Sequence, residues 1–281
     1  MRTVRKRMTR KGFMGWTHFL ISFSIILLIN LFWPVVIPTF GLQGYQYFII
    51  FILVIALTSG SSLYPDIDND PSTVTNKLGL LGKILSKLFG FVSIIVYNVA
   101  HTRKDKTKSK THRLIWHTPF IWIVIGLLFH LTIPDTQTSG FELIKSGWAD
   151  NLSLVIFALV SYFAIWVALG FMLPSSIRKF TFIPALLLTG FMLSLPVSNI
   201  RGLVICISFG ALLHVLEDFI TQGSIPIAFP IPIKGQLWAK PWVLGKLQIY
   251  TGGATEKIIT LIAGGTSLVL TFITVTKMIH I

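Results

Sequence analysis

An all-α, polytopic helical membrane protein is the fold this sequence predicts, on three observations. Hydrophobic residues make up 53% of the 281 positions and charged residues only 12%, against about 25% charged in soluble domains. Several apolar runs approach the ~20 residues that a helix needs to cross a bilayer. Lys and Arg are bunched into a few segments, as in a chain that alternates between two sides of a membrane. The expected architecture is about seven spans plus one interfacial or re-entrant segment, with the N-terminus cytoplasmic. The single Cys206 lies in an apolar run, which excludes an intramolecular disulfide and reads as a buried, inert thiol.

Residues 1–12 carry Arg2, Arg5, Lys6, Arg7, Arg10 and Lys11 and read as a basic cytoplasmic flank. No small-residue cleavage site follows, so the first helix is expected to stay. Residues 13–281 read as a single helical membrane domain. Span one covers about 19–37 and ends among Pro34, Pro38 and Gly41. Span two covers about 45–63 and returns to the cytoplasm. Residues 78–99 are apolar but carry Lys83 and Lys87, and the basic segment 101–113 follows them. A crossing there would put that basic segment outside, so 78–99 read as interfacial or re-entrant. Span three is 119–133, followed by an outside loop nearly free of positive charge. Spans four, five and six are 152–173, 182–197 and 203–219. Residues 225–242 are broken by Pro226, Pro230, Pro232 and Pro241 and read as a loop packed on protein or at the interface. The last span is 258–279, ending outside.

This arrangement puts 21 of the 24 Lys and Arg on the cytoplasmic side. Topology therefore accounts for the net charge of +14 without a specific nucleic-acid partner. The basic segments also lack the aromatic residues that stack on bases.

Three of the ten acidic residues, Asp66, Asp68 and Asp70, fall in Ser61–Ser72, directly after span two. Carboxylates so crowded repel one another unless a cation neutralises them. The plainer reading is a solvated turn, since Asp, Asn and Pro are turn residues. The histidines favour the first. His18 opens span one, His112 and His117 precede span three, His214 and Asp218 close span six, and Glu256 opens span seven. All meet at the cytoplasmic ends of spans. His214 and Asp218, four apart, share one helix face, and Asp66 and Asp68, two apart, point the same way in an extended loop. His18, Asp66, Asp68, His112, His117, His214 and Asp218 form a mixed nitrogen and oxygen donor set. It suits zinc first, with manganese or iron as alternatives, better than magnesium. The donors exceed what one tetrahedral zinc needs, which leaves a two-metal site open. Arg113 suits an anionic substrate such as a phosphate ester, or is one more cytoplasmic charge. His101, His130 and His280 stay outside the cluster.

Four short motifs carry a resemblance. They are Thr17-His18, Leu63-Tyr64-Pro65-Asp66-Ile67-Asp68, His112-Arg113 with His117-Thr118, and Gly210, His214, Asp218, Thr221 and Gly223 at fixed spacing. Together and in this order they resemble the YdjM-type inner-membrane family, over residues 14 to about 256. That family is described as membrane-bound metal-dependent hydrolases and as LexA-binding membrane proteins. Two positions depart from its pattern: Leu114 stands where the family has Gly after His-Arg, and Asn69 where it has His after Asp-Ile-Asp.

The reading these observations favour is a multi-pass protein of a bacterial inner membrane with metal-dependent hydrolase activity. The metal would activate a water, with Asp218 or Glu256 as general base. A phosphate ester or lipid-linked molecule at the cytoplasmic face is the expected substrate, and membrane lipids are the expected surroundings. The alternative is a non-enzymatic anchor that binds a regulatory protein. A transporter is less favoured, because a pathway needs polar residues at all depths and these gather at one face.

Overall fold

The structure, a computed structural model, describes residues 15–32, 45–69, 72–105, 115–174, 176–220, 225–233, 235–237 and 253–279. Among them are ten α-helices and no β-strand. They are α1 (Gly15–Phe32), α2 (Tyr45–Ser61), α3 (Thr73–Lys77), α4 (Gly79–Ala100), α5 (Pro119–Thr132), α6 (Gly140–Ser146), α7 (Leu152–Met172), α8 (Phe182–Ser194), α9 (Val197–Ile220) and α10 (Ala254–Ile279). Three short 3₁₀ turns, Tyr64–Asp68, Ile115–His117 and Arg178–Phe180, join them.

Five stretches are helical, long and apolar enough to cross a membrane: Phe48–Asp68, Gly79–Ala100, Leu152–Met172, Val197–Ile220 and Ala254–Thr276. The sequence-based list of seven differs in both directions. It includes α1, whose apolar helical stretch Gly15–Leu31 falls just short of the length needed, and the regions of α5 and α8, which are helical over only 14 and 13 residues, roughly 20 Å at 1.5 Å per residue. It leaves out α4, which is an unbroken helix of 22 residues. Lys83 and Lys87 do not interrupt it, because Lys is a good helix former and both side chains are exposed.

The chain divides into two compact units. One is made of the residues up to Ile21 with Ser62–Trp122 and Ala211–Gly265; the other is made of Ser22–Ser61, Ile123–Gly210 and the residues from Thr266 onward. In the second unit α2 packs on α7 and α7 on α8. Its core is the inward stripe of α7, with Leu154, Phe157, Ala164 and Ile165 buried, against Leu53 and Leu57 of α2. In that unit Arg201 bonds the Asp135 carboxylate at 3.0 Å and the His130 carbonyl at 2.7 Å.

In the first unit α4 turns a face of small residues, Gly82, Ser86 and Ser93, toward the protein. It presents Leu80, Ile84, Leu88, Phe91, Ile95 and Val99 outward. The inward face packs on α3 and on the turns Tyr64–Asp68 and Ile115–His117. Beyond its C-terminus the Asp105 carboxylate accepts hydrogen bonds from the Thr102 backbone N–H at 2.8 Å and from the Leu237 backbone N–H at 3.0 Å. The Thr102 hydroxyl donates to the Gly235 carbonyl. The proline-rich stretch predicted to be a packed loop is therefore pinned to the end of α4.

The N-terminal parts of α1 and α10 run parallel in this unit. Thr17 meets Glu256 and Thr260, and Leu20 faces Gly264, so the contacts advance in the same direction along both helices. In the second unit the same two helices are joined by Ser24 and Ser267 at 2.7 Å, seven residues on in each. Hydroxyl pairs at heptad spacing hold one register in a seam where apolar burial supplies little drive.

Candidate metal centre

Every histidine or carboxylate that is fully buried among the described residues lies in the first unit: His18, Asp68, His117, His214, Glu217, Asp218 and Glu256. Asp66 joins them with its side chain 19% exposed. In the second unit the buried polar residues are hydroxyls and amides.

Local sequence explains each position. Pro65 cannot continue the hydrogen bonding of α2, and the chain tightens into the 3₁₀ turn Tyr64–Asp68. Ser72 caps α3 by accepting from the Thr75 N–H, and the Thr75 hydroxyl donates to the Asn69 carbonyl at 3.1 Å. The turn is thereby held at both ends. His117 ends its own 3₁₀ turn just before α5. The Thr118 hydroxyl accepts from the Ile121 N–H and Pro119 begins the helix, the usual cap and first-turn chemistry. Aromatic contacts brace both turns. Trp116 stacks near Phe89 at 4.2 Å, and its indole N–H donates to the Phe89 carbonyl. Trp122 donates to the Trp116 carbonyl and lies 6.4 Å from Tyr64.

The expected extended loop at Asp66 and Asp68 is corrected here. In a 3₁₀ turn of about three residues per turn, residues two apart point away from each other. Asp66 faces the histidines. Asp68 is buried on the same turn and belongs to neither potential ligand triad.

Those triads are His18, Asp66 and His214, and His117, His214 and Asp218; within each, one donor atom per residue lies within 4.8 Å of the others. The two triads share His214. His117 Nε2 is 3.5 Å from Asp66 Oδ1 and 3.4 Å from Asp218 Oδ2. His214 Nε2 is 3.7 Å from Asp66 Oδ1 and 3.8 Å from Asp218 Oδ2. These exceed the ~2.7–3.2 Å of a hydrogen bond. Four donors at about 2.1 Å from one ion in a tetrahedron lie about 3.4 Å apart. The four imidazole-to-carboxylate spacings lie near that value, and each triad offers nitrogen and oxygen donors of the kind a divalent cation takes. His18 approaches from the side, with Nε2 at 3.9 Å from Asp218 Oδ1 and its ring stacked on His214 at 3.8 Å. Among the described residues, four of the ten acidic residues are buried in this unit and Asp66 nearly so.

Of the residues the sequence singled out, the fold brings together His18, Asp66, His117, His214 and Asp218. Glu256 is linked to the cluster through Thr17, the residue before His18, whose hydroxyl donates to Glu256 Oε1 at 2.8 Å. His112, Arg113 and Asp70 lie outside the described residues, as do Thr221 and Gly223. One residue was missed. Glu217 Oε2 is 2.6 Å from His18 Nδ1. Its signal was present, since Glu217 follows His214 by three residues and so shares its helix face.

Residues 13–280 match the YdjM inner membrane protein family. The chain belongs to that family. No curated protein and no solved structure matches it. The YdjM match spans all four motifs, and with several long apolar helices it identifies a multi-pass membrane protein. Within this YdjM chain, motif residues separated by almost two hundred positions meet in one cluster.

Proposed function

We propose that the chain is an integral-membrane, metal-dependent hydrolase. The observation that carries the reading is the pair of triads that share His214, with His117 and His214 each 3.4 to 3.8 Å from the Asp66 and Asp218 carboxylates. A bound zinc, manganese or iron ion supplies Lewis acidity and a water of lowered pKa. Asp66, the partly exposed member, forms the accessible edge at which a substrate arrives. Asp218 faces all three imidazoles; it would help hold the ion and is the favoured general base. Glu256, engaged by Thr17, serves the α1–α10 seam more directly than proton transfer. A phosphate ester or lipid-linked molecule is the substrate class we favour, because a hard divalent ion recognises phosphoryl oxygen and the surrounding protein is apolar.

Elemental analysis of detergent-purified protein tests this. Wild type is expected to hold one or two equivalents of divalent metal, and Asp66→Asn/His214→Ala none. A folded wild type without metal would move the reading to the regulator-binding anchor.

We place the N-terminus in the cytoplasm of a bacterial inner membrane, with seven crossings and with α4 lying along the interface. Support for α4 comes from what it touches. Its first turns meet Thr75, its middle meets Trp116 and Asp68, and its end lines a small cavity together with Pro226 and Leu237. These belong to the one-turn helix α3 and to connections between the longer helices. An amphipathic helix with an apolar outer stripe and exposed lysines suits a membrane surface. Asn76→Cys and Arg103→Cys flank α4 at exposed positions, and the native Cys206 is buried. A membrane-impermeant maleimide is expected to label both from the same side. Labelling from opposite sides would make α4 a crossing helix.

A further inference from the structure

Glu217 and Asp218 are consecutive on α9, yet they address the two different nitrogens of one imidazole. Glu217 Oε2 is 2.6 Å from His18 Nδ1, and Asp218 Oδ1 is 3.9 Å from His18 Nε2. The first distance is that of a direct, charge-assisted hydrogen bond; the second is that of two donors facing a common centre. His18 and Glu217 are both buried, 199 positions apart in sequence. The His18 ring also lies on the His214 ring, with centroids 3.8 Å apart and planes 24° from parallel.

We propose that Glu217 is a positioning residue that makes His18 a ligand of the same metal centre. This rests on the metal-centre reading above. A carboxylate at Nδ1 accepts the Nδ1–H and so selects the tautomer whose lone pair is on Nε2. Stacking on His214 restricts the tilt of the ring, and the Glu217 bond fixes its rotation. Together they leave Nε2 aimed toward Asp218. The charge of the carboxylate also raises the basicity of the imidazole as a ligand. A buried glutamate with only a packing role would have no reason to approach one nitrogen of a ring whose other nitrogen faces the donor cluster.

The test is zinc affinity by chelator competition, with the visible spectrum of the cobalt-substituted protein as second readout. Removal of such an outer partner costs about 10–100-fold in metal affinity, and Glu217→Ala is expected to show a loss of that size. Glu217→Gln, which keeps size and an acceptor oxygen but not the charge, should fall between. The cobalt spectrum of both variants should shift toward that of His18→Ala. The His18→Ala/Glu217→Ala double variant should bind no more weakly than His18→Ala alone, because Glu217 acts only through His18. Multiplying losses in the double variant would overturn the proposal, as would wild-type affinity and spectrum in Glu217→Ala. Should the alanine variant fail to fold, the isosteric Gln variant carries the same comparison. A wild type that takes up neither zinc nor cobalt would remove the metal centre itself. Normal wild-type uptake with unaffected Glu217 variants would remove only this inference.

Discussion

Asp218→Asn is expected to weaken divalent-metal binding by more than any other single substitution in the cluster. Asp218 is the residue whose two oxygens reach all three imidazoles, at 3.4 Å from His117, 3.8 Å from His214 and 3.9 Å from His18. Asparagine keeps the shape and removes the negative charge. Structural zinc sites of four ligands bind with ~10–16 kcal/mol, so one ligand is worth roughly 3 kcal/mol, or about two orders of magnitude in affinity. His117→Ala and His214→Ala should come next, since each imidazole faces both the Asp66 and Asp218 carboxylates. His18→Ala should cost less, because its approach is lateral, and Asp68→Asn least, because it belongs to neither triad. Chelator competition on the series gives the ranking directly. An inverted order, with Asp68 or His18 above Asp218, would show that the ion sits elsewhere in the cluster.

The second large effect is in packing. Gly60→Val and Gly210→Val are each expected to lower the thermal stability of the detergent-solubilised protein severely. A Cβ at Gly60 would fall on the carbonyl oxygen of Ala164, and one at Gly210 on the carbonyl oxygen of Thr58. These neighbours are backbone atoms, which cannot swing aside as a side-chain tip can. Overpacking a well-filled interior costs about 1–3 kcal/mol and more where backbone must move. Small residues at helix contacts are also what lets membrane helices approach at all. Gly265 is the internal control. A Cβ there meets nothing within 4 Å, so Gly265→Ala should be neutral or mildly stabilising, by up to about 1 kcal/mol. Equal melting temperatures for Gly60→Val, Gly210→Val and wild type would contradict the close contacts. The result bears on the motif as well: Gly210 stands one turn before His214 in a metal-type motif, and its place there is one of helix packing.

Much of the cluster was legible from sequence because charge and period are local properties. Lys and Arg asymmetry assigned the ends of spans, and five of the predicted ligands do meet. His214 and Asp218 were legible from a spacing of four on an apolar helix. Glu217 was not, although a spacing of three carries the same information. Its meaning depends on His18, and no local pattern links positions 199 apart. Asp66 and Asp68 were misread for a different reason. An alternating pattern implies common direction only if the backbone is extended, and Pro65 set a tight turn instead. The region of α4 was ambiguous because its hydropathy suits a span and its lysines suit a surface.

The sequence by itself determined the membrane class, the all-helical build and the identity of most polar residues that cluster. Those follow from run length, composition and charge, which the bilayer selects without regard to long-range contacts. Only the tertiary structure decided which of these side chains lie within a few ångströms of one another, that Asp66 and Asp68 sit on a 3₁₀ turn, and that Glu217 bonds His18. Those depend on distances between helices that are remote in the chain, and separations of a few ångströms between such atoms are set by packing alone.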